Sequence, residues 1–253
     1  MSAVGDHSSH AASPTWRGPR RLLLAAFLLG TVFVVANTAR RLNTSFNLAR
    51  QAHALSQQPA QPRIRLLVVG DSTAVGTGAS GPAQSLVGLI AADHADWQID
   101  NLAANGARFA DVLQQLQRAQ AGYDQVLVLA GGNDVMRLTG MDTLRSQLEQ
   151  VVVLARQRAG RVVLMPCGNV GHAPFFFPPL SWLMGRRSRQ LHALVAGLAQ
   201  RTGSVYVRLL QPAATDPFVA QPDLLNAADG LHPSDAGYRQ WYAELRAQGG
   251  LPA

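Results

Sequence analysis

From residue 63 onward, short runs rich in apolar and β-branched residues alternate with segments of helical apolar spacing. The strand-like runs are almost continuously apolar, which is typical of parallel strands buried by helices on both faces. Right-handed crossovers then leave few topologies for such a chain. The sequence therefore predicts an α/β domain. The predicted strands are Ile64–Val69, Trp97–Leu102, Val126–Ala130, Arg161–Met165 and Val205–Leu209, and the predicted helices are Gln84–Ala95, Phe109–Ala119, Met141–Arg158, Ser188–Arg201 and Asp235–Gln248.

An uncharged apolar run, residues 22–39, precedes this domain and has an arginine pair on each side. As a helix it spans about 27 Å, close to the roughly 30 Å hydrocarbon thickness of a bilayer. Its length and its second arginine pair favour one uncleaved transmembrane helix. A secretory signal, with Val34-Val35-Ala36 as its cleavage site, is the alternative. We predict a disordered tail over 1–21, a Gln- and Pro-containing linker over 40–62, and a domain over 63–253.

The charge distribution indicates a membrane rather than a nucleic acid as partner. All 22 basic residues are arginine, and the absence of lysine excludes a P-loop and Schiff-base chemistry. Of the net charge of +7, the first 50 residues carry +5 and the remainder only +2, so the domain is nearly neutral. The single cysteine, Cys167, excludes an intramolecular disulfide and a cysteine-rich metal site. No metal or organic cofactor is expected.

Four short motifs lie at the ends of predicted strands or just before the last helix. Since ligands bind at the carboxyl ends of parallel strands, the first three motifs should meet at one edge of the sheet. The four motifs together supply a serine, an Asp-x-x-His pair, and Gly and Asn residues that can donate hydrogen bonds. Gly and Asn taken singly are ordinary turn residues. The motifs are Gly70-Asp71-Ser72, Asn105-Gly106, Gly131-Gly132-Asn133-Asp134 and Asp229-Gly230-Leu231-His232.

These motifs resemble the conserved blocks of the SGNH, or GDSL, hydrolase superfamily over residues 64–248. The resemblance implies a three-layer α/β/α sandwich whose five-stranded parallel sheet has flavodoxin-like order. It also implies a serine ester hydrolase acting on acyl esters. In the implied site, Ser72, Asp229 and His232 form the catalytic triad, and Ser72, Gly106 and Asn133 form the oxyanion hole. Asp71 and Asp134 are interpreted as residues that brace loops or cap helices.

Other functions remain open on the same residues. An O-acyltransferase or a carbohydrate acetylesterase would use the same site. A remote alternative is dinucleotide binding, because Gly76–Gly81 matches Gly-x-Gly-x-x-Gly and Asp100 follows at about the expected distance. Against it, the glycines begin well after the predicted end of the first strand. We predict that the protein is a single-pass membrane protein with a periplasmic or otherwise extracytoplasmic catalytic domain.

An aromatic, proline-rich stretch follows the fourth predicted strand and precedes Arg186, Arg187 and Arg189. Its prolines predict a loop rather than a helix over 172–184. It leaves the sheet at the edge that carries Ser72, so its rings are candidates for binding an acyl chain or a bilayer surface. Packing of these rings on the core is the alternative. The candidate substrate-binding residues are Phe175, Phe176, Phe177 and Trp182. His172, in the same stretch, is expected to be solvent-exposed, and a place in the lining of the site is the alternative.

Overall fold

A computed structural model describes residues 17–252 of the chain. Five strands and ten α-helices alternate along the described part, in close agreement with the predicted order. The strands are β1 (Ile64–Gly70), β2 (Trp97–Asn101), β3 (Tyr123–Leu129), β4 (Ala159–Leu164) and β5 (Val205–Tyr206). The helices are α1 (Arg17–Gln51), α2 (Ser72–Val75), α3 (Leu86–Asp93), α4 (Phe109–Arg118), α5 (Gly132–Met136), α6 (Met141–Arg158), α7 (Leu180–Thr202), α8 (Pro217–Ala220), α9 (Pro222–Leu225) and α10 (Asp235–Ala247).

The five strands form one parallel sheet in the order β2-β1-β3-β4-β5. This is the flavodoxin-like order, so the predicted fold is confirmed. The order reverses at β1, and right-handed crossovers therefore place α3 on the opposite face from α4, α6 and α7. The contacts agree, because α4 packs on α6 and α6 on α7, whereas α3 packs on α10. The reversal leaves a crevice at the carboxyl end of β1, where ligands bind in such sheets.

The central strands are covered on both faces, as their continuous apolar sequence predicts. The side chains of Leu66, Leu67, Val68 and Val69 in β1 are all fully buried. In α4 the buried residues Phe109, Val112 and Leu116 recur at helical spacing and face the sheet. Burial of each such side chain stabilises the fold by about 1.5–3 kcal/mol.

Two elements differ from the predicted bounds. Helix α7 begins at Leu180, eight residues before the predicted start, so the stretch 180–184 is helical and not a loop. Pro178 and Pro179 stand directly before its first residue, where the missing N–H and the fixed φ of proline are compatible with a helix start. Strand β5 ends at Tyr206, three residues before the predicted end, although the Val207 N–H still donates to the carbonyl of Leu164 in β4 at 3.0 Å.

The apolar run lies in the first of two compact units of the chain, which extends to Ala39. From Leu22 to Val35 its large apolar side chains are exposed. The helix is long and apolar enough to cross a membrane, with a mean hydropathy of 2.2, and a signal sequence would meet the same criterion. The predicted tail falls mainly on residues 1–16, which lie outside the described residues.

The second unit begins at Arg40 and contains the sheet. Its first segment, residues 40–51, is the C-terminal part of α1, and the carbonyl of Ala49 accepts a hydrogen bond from Asn105 Nδ2. The chain then runs antiparallel to β2, where the backbones of Gln57 and Ile99 exchange two hydrogen bonds of 2.9 Å. Much of the predicted linker over 40–62 is thus attached to this unit, and the division of the chain into domains stays a prediction.

Candidate active site

Ser72 is the first residue of α2, at the point where β1 gives way to that helix. Gly70 has φ +156°, and a side chain there would overlap the carbonyl of Leu129, so the close approach of β1 and β3 requires glycine. The Gln115 amide holds Gly70 from the other side, accepting from its N–H and donating to its carbonyl. Asp71 caps α2 through Thr73 N–H, which confirms its interpretation as a capping residue. The Ser72 hydroxyl is thereby fixed at the carboxyl edge of the sheet.

The structure brings Ser72, His232 and Asp229 into one chain of hydrogen bonds. Ser72 Oγ lies 2.9 Å from His232 Nε2, and His232 Nδ1 lies 2.6 Å from Asp229 Oδ2. Asp229 Oδ1 accepts the backbone N–H groups of Leu231 and His232, so both carboxylate oxygens are engaged within one short loop. Since Asp229 accepts the Nδ1 proton, Nε2 is left to accept the proton of the serine hydroxyl.

The electrostatics of this loop favour an ionised Asp229. Burial alone would raise the pKa of this carboxyl, but the hydrogen bond and charge of His232 and the two backbone donors outweigh it and hold the pKa below its ordinary value. A carboxylate held ionised beside Nδ1 stabilises the imidazolium that forms when His232 takes up a proton.

Asn133 and Gly106 lie on adjoining segments of the same edge. Asn133 is in α5, and its Nδ2 donates to the carbonyl of Ala107 at 3.2 Å, which leaves its second N–H available. Asn133 lines the same cavity as Ser72 and His232. Gly106 has φ +77°, a left-handed conformation that favours glycine, and Arg137 Nη2 would lie 3.5 Å from a Cβ added there.

A cavity of about 90 Å³, open to solvent on one side, extends from Ser72. Beyond the polar groups at Ser72 it is lined mainly by apolar side chains such as Leu209, Phe218 and Trp241. Polar side chains of Gln211, Gln240 and Glu244 also reach its wall. This lining, apolar with a few polar groups converging near Ser72, is that of a small-molecule site.

The aromatic candidates of the sequence analysis do not line this cavity. Phe176 packs against the hydrophobic core and meets Phe175 edge-to-face, with ring centroids 5.0 Å apart. The Phe175 N–H donates to the carbonyl of Gly230, which ties this segment to the loop of His232. Phe177 is half-buried, whereas Trp182, in the first turn of α7, is 71% exposed.

A second imidazole–carboxylate pair lines the cavity and was missed from the sequence. His172 Nδ1 lies 2.6 Å from Asp216 Oδ2, and His172 Nε2 lies 2.9 Å from Asn169 Nδ2. The expectation that His172 is solvent-exposed is wrong and the alternative is observed, because its side chain is 19% exposed and lines the cavity. Asp216 is 44 residues farther along the chain, so no local spacing links the two.

Asp71, which directly precedes the serine, and Asp134 are buried carboxyls, and neither forms an ion pair among residues 22–252. Burial raises the pKa of both groups above the ordinary value of 3.8, against hydrogen bonds that lower it. Asp134 accepts from Phe109 N–H and Thr139 Oγ1, each at 3.0 Å, and so braces the loop before α4 as predicted.

Within Gly76–Gly81, the structure explains why glycine occurs at positions 76 and 78 without a bound nucleotide. Gly76 ends α2 with φ +97°, a conformation that favours glycine at a helix C-terminus. A Cβ on Gly78 would collide with the carbonyl of Pro233 and lie 2.9 Å from His232 Cβ, so this residue packs directly beneath the histidine. The segment supports the loop of His232.

The comparisons with known proteins agree with this geometry. Residues 68–240 match the GDSL-like Lipase/Acylhydrolase family. A GDSL-like esterase of Mycobacterium tuberculosis is 28% identical over 183 residues, which cover 69% of this chain; the chain spans 58% of the length of that curated relative.

Solved structures show the same fold at low sequence identity. LAE5, an alpha/beta hydrolase enzyme from the metagenome of Lake Arreo, has 20% identity and a TM-score of 0.60, over 76% of this chain and 98% of that one. A catalytic mutant of Axe2, an acetylxylan esterase from Geobacillus stearothermophilus, has 21% identity and a TM-score of 0.58, over 77% and 98%. Because the family match covers more than half of the residues, the chain belongs to the GDSL-like lipase/acylhydrolase family.

Proposed function

We propose that this protein is a membrane-anchored serine hydrolase of acyl esters, with Ser72, His232 and Asp229 as its catalytic triad. The hydrogen-bonded chain from Ser72 Oγ through His232 to Asp229 carries this proposal. Ser72 Oγ attacks the acyl carbonyl while His232 Nε2 takes its proton, and His232 then returns that proton to the leaving alkoxide. Water, activated by the same nitrogen, releases the acyl group from Ser72 and restores the enzyme.

The oxyanion formed in each step needs hydrogen-bond donors that are already in position. We assign this role to the backbone N–H groups of Ser72 and Gly106 and to Asn133 Nδ2. Ser72 begins α2, and the first N–H groups of a helix have no partner within it. Asn133 retains one amide proton beyond its bond to Ala107, and it shares the cavity with Ser72. One such donor typically contributes about 10²–10³ in rate.

The apolar wall of the cavity supports an acyl chain longer than acetyl as the group bound beside Ser72. Ala173 is a small lining residue, so Ala173→Trp would place an indole in the cavity without replacing Ser72 or His232. Activity on long-chain esters should then fall much more than activity on acetyl esters. The comparison variant replaces Phe175, Phe176 and Phe177 by Ser; if that variant alone loses long-chain activity, the aromatic segment holds the chain instead.

The catalytic role is tested by labelling with a fluorophosphonate, which reacts with an activated serine. The wild-type protein should be labelled, and Ser72→Ala should not. Ser204→Ala is the matched control, because its hydroxyl pairs with Thr202 and lies on a different loop. Equal labelling of wild type and Ser72→Ala would refute the proposal.

The membrane anchor and its extracytoplasmic side are part of the same proposal. The exposed apolar side chains of α1 support an anchor, and a signal, if cleaved, would release the domain on the far side of the membrane. Carbonate washing should not release the protein from membranes, and mass spectrometry should find α1 in the mature chain. A soluble mature protein starting near Asn37 would establish the signal instead.

A further inference from the structure

The second unit of the chain, which begins at Arg40 and is called the catalytic unit below, exposes apolar side chains mainly at the edge of the sheet that carries Ser72. Outside α1, eight large apolar side chains are exposed among the described residues, and only Val153, near the middle of α6, lies elsewhere. The other seven follow the carboxyl ends of β2, β3, β4 and β5, and we call them the apolar rim: Leu102, Leu138, Leu180, Trp182, Leu183, Val219 and Leu224. An exposed apolar group gathered on one side of a protein marks an interaction surface.

Arginines are interspersed with the apolar rim. Arg137 directly precedes Leu138, and Arg186 and Arg189 follow Leu183 by less than two helical turns; all three are exposed. None of the three forms an ion pair within residues 17–252. Asp142 and Asp223 are exposed acids on the same side of the sheet, so cations outnumber them. Tryptophan and arginine together are typical of protein surfaces at the headgroup level of a bilayer.

The chain also enters the catalytic unit at this edge. The guanidinium of Arg41 lies against Gly230, in the loop of His232, and Ala49 is bonded to Asn105 after β2. Leu42 and Phe46, on the same segment, are exposed. The apolar run ends at Ala39, two residues before Arg41, and consecutive Cα atoms are only about 3.8 Å apart. Only Arg40 therefore separates the apolar run from the residue that contacts the loop of His232.

We propose that the apolar rim rests on the surface of an anionic phospholipid bilayer and that the cavity at Ser72 receives its ester from lipid in that leaflet. The arginines fit anionic headgroups, and the covalent link through Arg40 keeps this edge near the membrane. A second copy of the chain could cover an apolar face too, but uncompensated arginines on both copies would repel each other across such a contact. The substrate class, an ester of a membrane lipid, rests on the hydrolase function proposed above; the docking of the rim does not.

Docking is measured on the full chain in vesicles, by the emission of a fluorophore that reports whether its surroundings are lipid or water. The single native cysteine, Cys167, is buried, so introduced cysteines can be labelled selectively with a polarity-sensitive dye. We choose Leu138→Cys and Leu224→Cys on the rim and Val153→Cys as the matched exposed control. In phosphatidylglycerol vesicles the two rim labels should shift to the blue and be quenched by brominated lipid, while the control stays aqueous.

Two results would overturn the proposal. One is rim labels that remain as aqueous as the Val153→Cys control, which would place the rim away from lipid. The other is a blue shift that grows with protein density at a fixed lipid composition, which would identify a second copy as the partner. The readout does not require catalysis, and Ser72→Ala should give the same shifts as the active protein.

Comparing hydrolysis of a vesicle-held ester with hydrolysis of a soluble ester tests the lipid substrate separately from the proposed hydrolase activity. The double variant Leu138→Ser, Leu224→Ser should hydrolyse an ester held in phosphatidylglycerol vesicles about tenfold more slowly, because it loses buried apolar area at the surface. Its kcat/KM on a soluble short-chain ester should match that of Val153→Ser. Equal losses on both substrates would show that the rim serves the fold. A wild-type protein inactive on both substrates would refute the hydrolase and leave the labelling result standing.

Discussion

The imidazoles of His232 and His172 both line one cavity and are both paired with a carboxylate, but they differ in what the second ring nitrogen contacts. Nδ1 contacts a carboxylate oxygen at 2.6 Å in both His232–Asp229 and His172–Asp216. In the first pair, Nε2 faces the hydroxyl of Ser72, a group that can give up its proton. In the second pair, Nε2 faces the Asn169 amide, which donates a hydrogen bond but is too weak an acid to give up its proton.

The comparison shows that a His–Asp pair is not a catalytic unit by itself. Asp216 uses its other oxygen to accept the N–H of Phe218, and Asn169 Oδ1 accepts from Gly171, so all partners in this second chain are satisfied locally. This chain joins the loop after β4 to the loop after β5, and both loops form the cavity wall. We infer that His172 and Asp216 hold the shape of the cavity, while His232 transfers the proton and ionised Asp229 orients and stabilises its imidazole.

Replacing each histidine tests this difference most directly. His232→Ala should lower kcat on a soluble ester by at least about 10⁴-fold, since the proton acceptor of Ser72 is removed. His172→Ala should lower it by less than about tenfold, because only the cavity wall is disturbed. Steady-state kinetics, with circular dichroism to verify folding, measure both effects. Comparable losses in two folded variants would contradict the division of roles.

The two asparagines give the next largest contrast. Asn133→Ala should reduce kcat by about 10²–10³ with little change in KM, because it removes a donor needed only in the transition state. Asn169→Ala removes the partner of His172 Nε2 and should leave kcat within about tenfold while lowering the melting temperature. An unchanged kcat in Asn133→Ala would show that this residue only fixes the turn through Ala107.

The third test concerns stability. Asp216→Asn keeps one acceptor oxygen but loses the charge in a buried hydrogen-bonded pair, so the free energy of unfolding should fall by about 1–3 kcal/mol. Asp223→Asn, at an exposed position of the same region, should change it by less than about 0.5 kcal/mol. Urea denaturation of both variants at neutral pH makes the comparison, and equal values would show that the second pair does not stabilise the loops.

The same contrast explains which parts of the site could be predicted from the sequence. Ser72, Gly106 and Asn133 each follow a strand whose apolar run is readable, and Asp229 and His232 are three residues apart. Strand order then brings them to one edge without knowledge of any loop. The family resemblance supplied the roles, and the bounds of α6 were predicted to the residue.

The cavity wall could not be predicted, because it is assembled from irregular segments. His172 and Asp216 lie in loops without periodicity, and their contact depends on how β4 and β5 diverge beyond the sheet. The start of α7 was missed because prolines were read as ending a helix, whereas here they precede its first turn. Trp182 is therefore on an exposed helical turn. The residues that line the cavity come from other segments, including α10.

A last, smaller effect distinguishes Asp71 from Asp229 by its dependence on pH. Burial raises the pKa of Asp71 above 3.8, so its ionised form costs stability at neutral pH, and that cost disappears as pH falls through the raised pKa. Asp71→Asn keeps an acceptor for Thr73 and removes the charge. Its free energy of unfolding should exceed that of wild type at pH 7, by about 1.4 kcal/mol for each unit by which the pKa is raised. The difference should shrink in acid.

Asp229 should show the opposite sign. Its pKa is held below 3.8, so its ionised form stabilises the fold above that pH, and this contribution is lost only as pH falls through the lowered pKa. Asp229→Asn should therefore be less stable than wild type across the neutral range, with a difference that stays constant down to about pH 5. Urea titrations of both variants from pH 7.5 to 4.5 measure the two curves. If Asp71→Asn is also destabilised at pH 7, ionised Asp71 is compensated in the folded protein, and the attraction between its charge and His232 outweighs the cost of its burial.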